Sequence, residues 1–386
     1  MDFEFSQDQM ALRELARELL TERCTSAHVR AMMEDPAGYD PALYRQMGDM
    51  SLLGLAIPEQ YGGSGLGMVE QAIVLEEMGR VAYPGPFVAG VVLAATGIQA
   101  SGDEAAMARY LPCLATGELT MSFALLEDAI GWGPEVVAMR AVPAGDGFVL
   151  SGTKRFVPFG ATADVILVVA STGDGPGDVS LFAVPRETPG LTVEPYGMFD
   201  LNAKTCALHF DAVRLPGDAL IGDLNGGAAA LDAVVQRGAV AACAEMLGCA
   251  RKSLEMSVAY AKVRKQFGQP IGSFQAIKHK CAEMLEATEN AHSATYYAAW
   301  ALDAGAPDAR LAVSVAKSFV NEAARKVCGE AIQVHGGIGF TWEYDLHLYF
   351  KRAKHLEPLW GDTAWHRERV LEEVLAGRVA GAAAGR

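Results

Sequence analysis

The sequence is short of positive charge. It has 32 Lys and Arg against 47 Asp and Glu among 386 residues, a formal net charge of −15, and the basic residues are dispersed along the chain. Nucleic-acid-binding proteins cluster Lys and Arg on one surface, because many of their contacts are to phosphates. The composition therefore predicts no nucleic-acid partner.

Paired cysteines are also missing. The chain has 7 Cys, with no CxxC pair and no spacing typical of Cys and His metal ligands. An odd number of cysteines without a pairing pattern is typical of thiols that stay reduced in a cytosol. We therefore expect a cytoplasmic protein without a bound metal.

Long uninterrupted apolar runs are lacking. The N-terminal segment MDFEFSQDQM carries acids within its first four residues, where a signal peptide would carry basic residues. The longest uncharged run, residues 81–102, contains 2 prolines and 4 glycines, whereas a membrane helix needs about 20 consecutive apolar residues. The sequence predicts no signal peptide and no membrane span.

What the sequence does contain is three stretches with different patterns. Apolar residues recur at spacings of three and four after Ser6, a candidate helix N-cap. Short apolar or alternating runs, such as ADVILVVAS and VSLFAVP, follow between about 120 and 222, and long helical patterns return from Leu231. We predict an α+β fold with an N-terminal helical domain (1–118), a middle β-barrel or sandwich domain (119–224) and a C-terminal four-helix bundle (225–386).

Three segments in this order resemble the acyl-CoA dehydrogenase family. They are LLGLAIPEQYGGSGLG in the first domain, VRKQFGQPIGSFQAIKH between two helices, and AIQVHGGIGFTWEYDLHLYFKRAK near the C-terminus. The resemblance extends along nearly the whole chain. It implies that the cofactor is FAD, that the substrate is an acyl-CoA thioester in fatty-acid or steroid degradation, and that an electron-transferring flavoprotein accepts the electrons.

The resemblance also implies that some residues serve the FAD of a neighbouring subunit. A guanidinium can bind a pyrophosphate through paired hydrogen bonds, and backbone N–H groups in a Gly-rich turn can approach a phosphate. The positions that match the family's shared groups are Arg264, Gln266, Phe267, Gln333, Gly336 and Gly337.

The chain's own flavin pocket departs from the family pattern. In EDAIGWG, Gly131 matches a family glycine, but Trp132 replaces a small hydroxyl residue that would contact the flavin phosphates. In KRFVPFG, Phe156 can shield the flavin ring, but Pro158 replaces a Thr and has neither a hydroxyl nor an N–H.

The catalytic base is the largest departure. The family's usual Glu position falls on Trp360 or, with one inserted residue, on Gly361, while Thr363 then aligns with the family's Thr and Asp362 is the nearby carboxylate. Other relatives place the Glu directly before an Arg on the long helix, where this chain has Gln236 and Arg237. The resemblance thus implies Arg237, Trp360 and Gly361 as substrate-binding residues and Asp362 as the candidate base. It also implies that Thr363, like Gly131 and Phe156, contacts FAD.

Three functions remain open at this point. In the first, the chain is a base-lacking subunit of a heteromer, like bacterial family members that act on steroid side-chain CoA thioesters, and a homologous partner supplies the Glu. In the second, it is a self-sufficient homo-oligomeric flavoenzyme in which Asp362 is the base, acting on acyl-CoA or another acidic C–H substrate. In the third, it is a non-catalytic scaffold that binds acyl-CoA.

Overall fold

The structure of the chain is a computed structural model that describes residues 4–129 and 131–384, with side chains described as far as residue 377. It forms two compact units. The bundle unit contains Met1–Val29, Met68–Tyr83 and Ala239–Arg386, and the sheet unit contains Arg30–Gly67 and Pro84–Gly238.

The helices and strands follow one another in three groups. The helices are α1 (Gln7–Arg23), α2 (Ser26–Glu34), α3 (Pro41–Asp49), α4 (Met68–Val81), α5 (Ala95–Ala100, preceded by a π-helix at Val88–Ala94), α6 (Glu104–Thr116), α7 (Gly227–Val263), α8 (Gln275–Asp303), α9 (Ala309–His335), α10 (Leu346–Leu356) and α11 (Thr363–Ala384). The strands are β1 (Met121–Ala124), β2 (Arg140–Ala144), β3 (Gly147–Pro158), β4 (Val165–Ser171), β5 (Val179–Pro185), β6 (Leu191–Pro195), β7 (Thr205–Pro216), β8 (Leu220–Ile221), β9 (Lys265–Gln266) and β10 (Gln269–Pro270). The predicted α+β architecture, with helices at both ends and strands between, is confirmed. The division at residues 118 and 224 stays a prediction.

The N-terminus of α1 shows how the local sequence sets an element boundary. The Ser6 hydroxyl accepts the Gln9 N–H, and the Gln9 side chain accepts the Ser6 N–H, so the two residues form a capping box. This arrangement satisfies donors that the first turn of a helix leaves unpaired. The N-cap predicted at Ser6 is therefore confirmed.

Two glycines let α4 and α7 pack closely in the bundle unit. A Cβ at Gly79 would lie 2.1 Å from the Glu245 carbonyl oxygen, and a Cβ at Gly248 would lie 2.0 Å from that of Glu76. The buried Glu76 carboxylate accepts Arg251 Nε at 2.7 Å and the Tyr296 hydroxyl at 2.8 Å. Close backbone contact and a satisfied buried charge thus join α4, α7 and α8.

The sheet unit is built on one sheet of eight strands in the order β6-β7-β3-β2-β4-β5-β8, with β1 paired to β4. The β1–β4 and β2–β4 pairs are parallel and the others are antiparallel. Fully buried side chains on the central strands, including Leu150, Ile166, Phe182 and Leu208, form its core. The short apolar runs read from the sequence therefore correspond to strands of this sheet, and β4 and β5 are buried along nearly their whole length.

One helix is long and apolar enough by composition to cross a membrane. It is α7, and 83% of its most apolar window is buried inside the protein. The core helix of a globular protein passes the same test, so α7 is a buried helix of this fold. The described residues contain no other such helix.

Candidate active site

A short exposed hairpin follows α7. Strands β9 and β10 pair in antiparallel fashion, and the turn between them passes through Phe267 and Gly268, with φ of 52° and 80°. Arg264, Gln266 and Phe267 are all exposed, and Phe267 is 92% exposed. Three of the predicted cofactor residues thus project from the chain and do not contribute to its core.

A second exposed turn follows α9. The helix ends at His335, Gly336 has a φ of 63°, and Gly336–Phe340 forms a 3₁₀ turn. Gln333, Gly336 and Gly337 are exposed, and a Cβ at either glycine would meet no atom within 4 Å. The backbone at these glycines is therefore open to an approaching group.

The two turns lie at the same end of the bundle unit. The His335 ring stacks on Tyr260 near the end of α7, with centroids 4.3 Å apart. His335 Nδ1 donates to the Ala331 carbonyl at 2.7 Å, so the imidazole is held by its own helix. Together the exposed groups form a surface that we call the bundle edge: Arg264, Gln266, Phe267, Gln333, Gly336 and Gly337.

The bundle edge fits the groups of FAD that the resemblance assigns to it. Phe267 offers a free ring face for an aromatic base, and Arg264 can bind a pyrophosphate through two N–H groups. Open space at Gly336 and Gly337 allows backbone N–H groups to approach a phosphate. The edge is also apolar at its margin, because Val263, Ile338, Phe340 and Trp342 are 43–73% exposed.

The predicted base, Asp362, and two of the three predicted substrate residues, Trp360 and Gly361, lie in the turn between α10 and α11, residues 357–362, which we call the α10–α11 turn. Trp360 and Gly361 are buried and have positive φ, 60° and 104°. Asp362 is exposed, and its Oδ1 accepts the Trp365 N–H at 2.8 Å, as an N-cap of α11. Thr363 Oγ1 is buried and has no hydrogen-bond partner in the described chain.

The neighbouring carboxylates are engaged in ion pairs. Glu357, at the end of α10, accepts Arg325 Nη1 and Lys354 Nζ, each at 2.7 Å. Glu245, on α7, is buried and lies 3.6 Å from Arg352 Nη1. Neither group is a free carboxylate.

The alternative base position on α7 holds an amide. Gln236 donates to Asp232 at 2.6 Å, and Arg237 next to it is partly buried. Both belong to the sheet unit. An amide has no basic lone pair near neutral pH, so Gln236 does not supply a general base.

The loop in the sheet unit that contains Gly131 is fixed by a buried ion pair. Glu127 accepts the N–H groups of Ala138 and Met139 at 2.9–3.1 Å and Lys154 Nζ at 2.6 Å. Burial lowers the pKa of Lys154 to about 8, although Glu127 opposes this shift. In the same loop Trp132 is 8% exposed, so a buried indole occupies the place of the family's small hydroxyl residue.

The strand expected to face the flavin has an unusual backbone. Phe156, on β3, has a φ of 51°, is 48% exposed and lies 5.2 Å from the Tyr196 ring. The carbonyl of Pro158 accepts the Ser122 hydroxyl. An exposed ring is thus available for shielding, but position 158 offers no hydroxyl or N–H donor.

Sequence reasoning missed Lys154, Lys317 and His366. All three side chains are buried, at 0%, 0% and 2% exposure, whereas Lys is almost never fully buried unless paired. Lys317 lies among the buried residues of α9, in the segment LAVSVAKSFV. The apolar helical pattern of this segment was the signal from which burial of Lys317 could have been predicted.

Models of known protein families match three consecutive segments of the chain. Models of the acyl-CoA dehydrogenase N-terminal, middle and C-terminal domains match residues 6–118, 122–213 and 225–375. The probable acyl-CoA dehydrogenase YngJ of Bacillus subtilis (strain 168) is 33% identical over 384 residues, covering 97% of this chain and 100% of the relative.

Two solved structures named for pairs of proteins have the same fold. A variant of the Tcur3481-Tcur3483 steroid ACAD is 32% identical with a TM-score of 0.86, covering 97% of this chain and 99% of that one. The ChsE4-ChsE5 complex from Mycobacterium tuberculosis is 27% identical with a TM-score of 0.88, again over 97% and 99%.

The chain belongs to the acyl-CoA dehydrogenase family. It is an oxidoreductase that acts on CH–CH bonds, and its cofactor is FAD. The resemblance read from the sequence is therefore confirmed, as are the fold and the cofactor that it implied.

Proposed function

We propose that the chain is one subunit of a heteromeric acyl-CoA dehydrogenase, and that a homologous partner supplies the catalytic glutamate. The observation that carries this proposal is the state of the carboxylates near the α10–α11 turn. Asp362 caps α11, and Glu357 forms ion pairs with Arg325 and Lys354. A buried Trp360 and Gly361 occupy the positions where the family usually has its base.

The exposed residues of the bundle edge also support the heteromer proposal. Its predicted FAD residues are exposed, and an apolar margin surrounds them. Large exposed apolar patches next to polar residues are typical of surfaces that bind another protein. The edge therefore completes the partner's FAD site, while the chain's own site is altered at Trp132 and Pro158.

The chemistry divides between the subunits. When bound, FAD would supply the hydride acceptor for the β-carbon of the acyl-CoA thioester, and a carboxylate would take the proton from the α-carbon. In this chain Arg264 would hold the pyrophosphate of the partner's FAD, and Phe267 would cover its adenine. Trp360 and Gly361 bind the acyl group, and Arg237 is a further substrate-binding residue. Electrons leave the complex to an electron-transferring flavoprotein.

The first test is the flavin content of the purified chain, alone and co-expressed with a homologous chain encoded beside it. We expect the lone chain to retain little FAD and to show no bleaching with butyryl-CoA or octanoyl-CoA. The mixture should be yellow and active, because each FAD site would then be complete. A yellow lone chain that turns over acyl-CoA would refute the heteromer proposal.

A variant of the bundle edge tests the shared cofactor site directly. In the co-expressed complex, Arg264→Gln should lower FAD occupancy by about tenfold or more, since it removes a charge-assisted pair to phosphate. Arg367→Gln is the matched control, because Arg367 is also exposed and pairs with Glu322 at 2.9 Å. Equal FAD loss in both variants would contradict a specific role for Arg264.

If the lone chain proves active, Asp362 becomes the residue to test. Asp362→Asn keeps an oxygen that can accept the Trp365 N–H, so α11 keeps its cap. It removes the ability to take a proton. Loss of turnover with FAD still bound would identify Asp362 as the base of a self-sufficient enzyme.

A further inference from the structure

Lys317 is a buried cation that binds the α10–α11 turn. Its Nζ lies 2.7 Å from Asn321 Oδ1 and 3.0–3.2 Å from the carbonyl oxygens of Leu356, Glu357 and Gly361. The side chain is 0% exposed. One ammonium group therefore contacts the backbone at both ends of the turn.

Two of these carbonyls belong to the C-terminal end of α10. Carbonyls in the last turn of a helix lack intrahelical partners and carry the negative end of the helix dipole. An ammonium group at this position satisfies them and is attracted by the dipole. Lys317 thus ends α10 and fixes the direction in which the chain continues.

His366, on α11, also binds the turn. Its Nε2 lies 2.9 Å from the Trp360 carbonyl oxygen, and its Nδ1 is buried without a partner in the described chain. Because a carbonyl can only accept, Nε2 carries a proton and donates it to this carbonyl. Burial and the Lys317 charge lower the pKa of His366 to about 4.

The two side chains hold consecutive carbonyls, those of Trp360 and Gly361, in a segment with unfavourable backbone. A positive φ at Trp360 is strained for a residue with a side chain, and persists only where surrounding groups hold it. Position 361 has no space for a side chain, because a Cβ there would lie 2.6 Å from His366 Nε2 and 2.5 Å from Trp365 Cε3.

We propose that Lys317 and His366 are positioning residues that hold Trp360 and Gly361 in the shape required to bind the acyl group. This proposal rests on the substrate-binding role proposed above for these two residues. Both side chains act through the backbone carbonyls of the turn, from α9 and α11.

Several charged or titratable groups face this pair. The Cys243 thiol of α7 and the carboxylates of Glu357 and Asp362 interact with Lys317, while Lys317, Asp362 and Arg369 interact with His366. Burial raises the pKa of Cys243 to about 12, so it stays a neutral thiol. Burial lowers the pKa of Lys317 to about 8, which leaves the amine charged near neutral pH.

The test is hydrogen–deuterium exchange of peptides covering residues 357–366 in the complex of this chain with its partner. Lys317→Met keeps a long side chain but removes the donors, and His366→Leu removes the imidazole N–H. Each should raise exchange of the turn amides by about tenfold. His366→Gln, which keeps an amide N–H donor, should restore slow exchange to within about threefold of the parent.

The kinetic measurement separates positioning from a purely structural role. With octanoyl-CoA as the probe, Lys317→Met and His366→Leu should raise KM by about tenfold while kcat changes less, because they alter binding. Lys326→Met is the control on the same helix, since Lys326 is exposed and pairs with Glu283 at 3.4 Å. It should change neither exchange nor KM.

Each outcome decides the proposal. Unchanged exchange in folded Lys317→Met and His366→Leu would overturn it, as would faster exchange with an unchanged KM. If Lys317→Met does not fold, the comparison of His366→Leu with His366→Gln gives the same decision. If the proposed function itself is wrong, the parent complex will be inactive with every acyl-CoA. The hydrogen–deuterium exchange measurement then still shows whether Lys317 and His366 hold the turn.

Discussion

The bundle edge and the α10–α11 turn both adjoin α9, but they differ in the contacts that they make within the chain. The edge follows His335, at the end of the helix, and its predicted FAD residues are exposed. The turn is bound to Lys317, 18 residues earlier, or roughly 27 Å along the helix at 1.5 Å per residue. Contacts within this chain therefore set the shape of the turn, whereas the edge keeps groups available for binding outside the chain.

Gly361→Ala should break the turn and produce the largest loss of stability. The added Cβ would overlap His366 and Trp365, at a residue whose φ is 104°. Backbone strain and steric overlap together predict a loss of about 2–4 kcal/mol in the free energy of unfolding. Chemical denaturation of the parent and variant chains measures this difference.

Gly305→Ala separates the two causes. Gly305 also has a positive φ, 56°, but a Cβ there would meet no atom within 4 Å. Gly305→Ala should lower the free energy of unfolding by only about 1 kcal/mol, from backbone strain alone. Equal losses in the two variants would show that overlap with His366 and Trp365 adds nothing to the cost of backbone strain.

His366 should make stability depend on pH in the acid range. Its folded-state pKa of about 4 lies below the ordinary value of 6.5, so the unfolded chain binds a proton more readily between these values. The contribution of a neutral His366 is fully present above pH 6.5 and is lost as the pH falls towards 4. At about 1.4 kcal/mol per pKa unit, its size is at most roughly 3.5 kcal/mol.

Thermal unfolding of the parent chain and of His366→Gln, measured from pH 4 to pH 7, tests this prediction. The difference in Tm between them should shrink as the pH falls, because glutamine keeps a donor for the Trp360 carbonyl but does not titrate. A constant difference would mean that another group is responsible for the acid dependence.

Much of the fold follows from local patterns, and so do the exposed site residues. The N-cap at Ser6, the short apolar strands and the spacing of apolar residues along the helices each involve residues close in sequence, so they can be read directly from it. Arg264 and Gly336 lie in continuous motifs, which is why their positions in turns after long helices could be expected.

The contacts that hold the α10–α11 turn could not be read in the same way. Lys317 and Gly361 are 44 residues apart in sequence, and no local pattern shows that an ammonium on α9 meets the carbonyls of the turn. The positive φ of Trp360 is equally hidden, because aromatic residues rarely adopt it. The same sequence reasoning could place Asp362 near the turn, but only packing shows that its carboxylate caps α11.

Phe267→Gly should have the smallest effect on stability and still impair function, which sharpens the contrast between the two regions. Phe267 has a φ of 52°, is 92% exposed, and its ring contacts Phe274 edge-on at 6.1 Å. Glycine relieves the strained backbone while the ring contact is lost, so unfolding of the lone chain should change by less than about 1 kcal/mol. Loss of an exposed aromatic anchor should nevertheless weaken assembly with the partner and FAD by about tenfold or more, measured by titration of the partner. A variant that assembles like the parent would mean that the exposed ring at the bundle edge does not bind a second subunit. A strongly destabilised lone chain would mean that contacts within this chain hold the bundle edge, as they hold the turn.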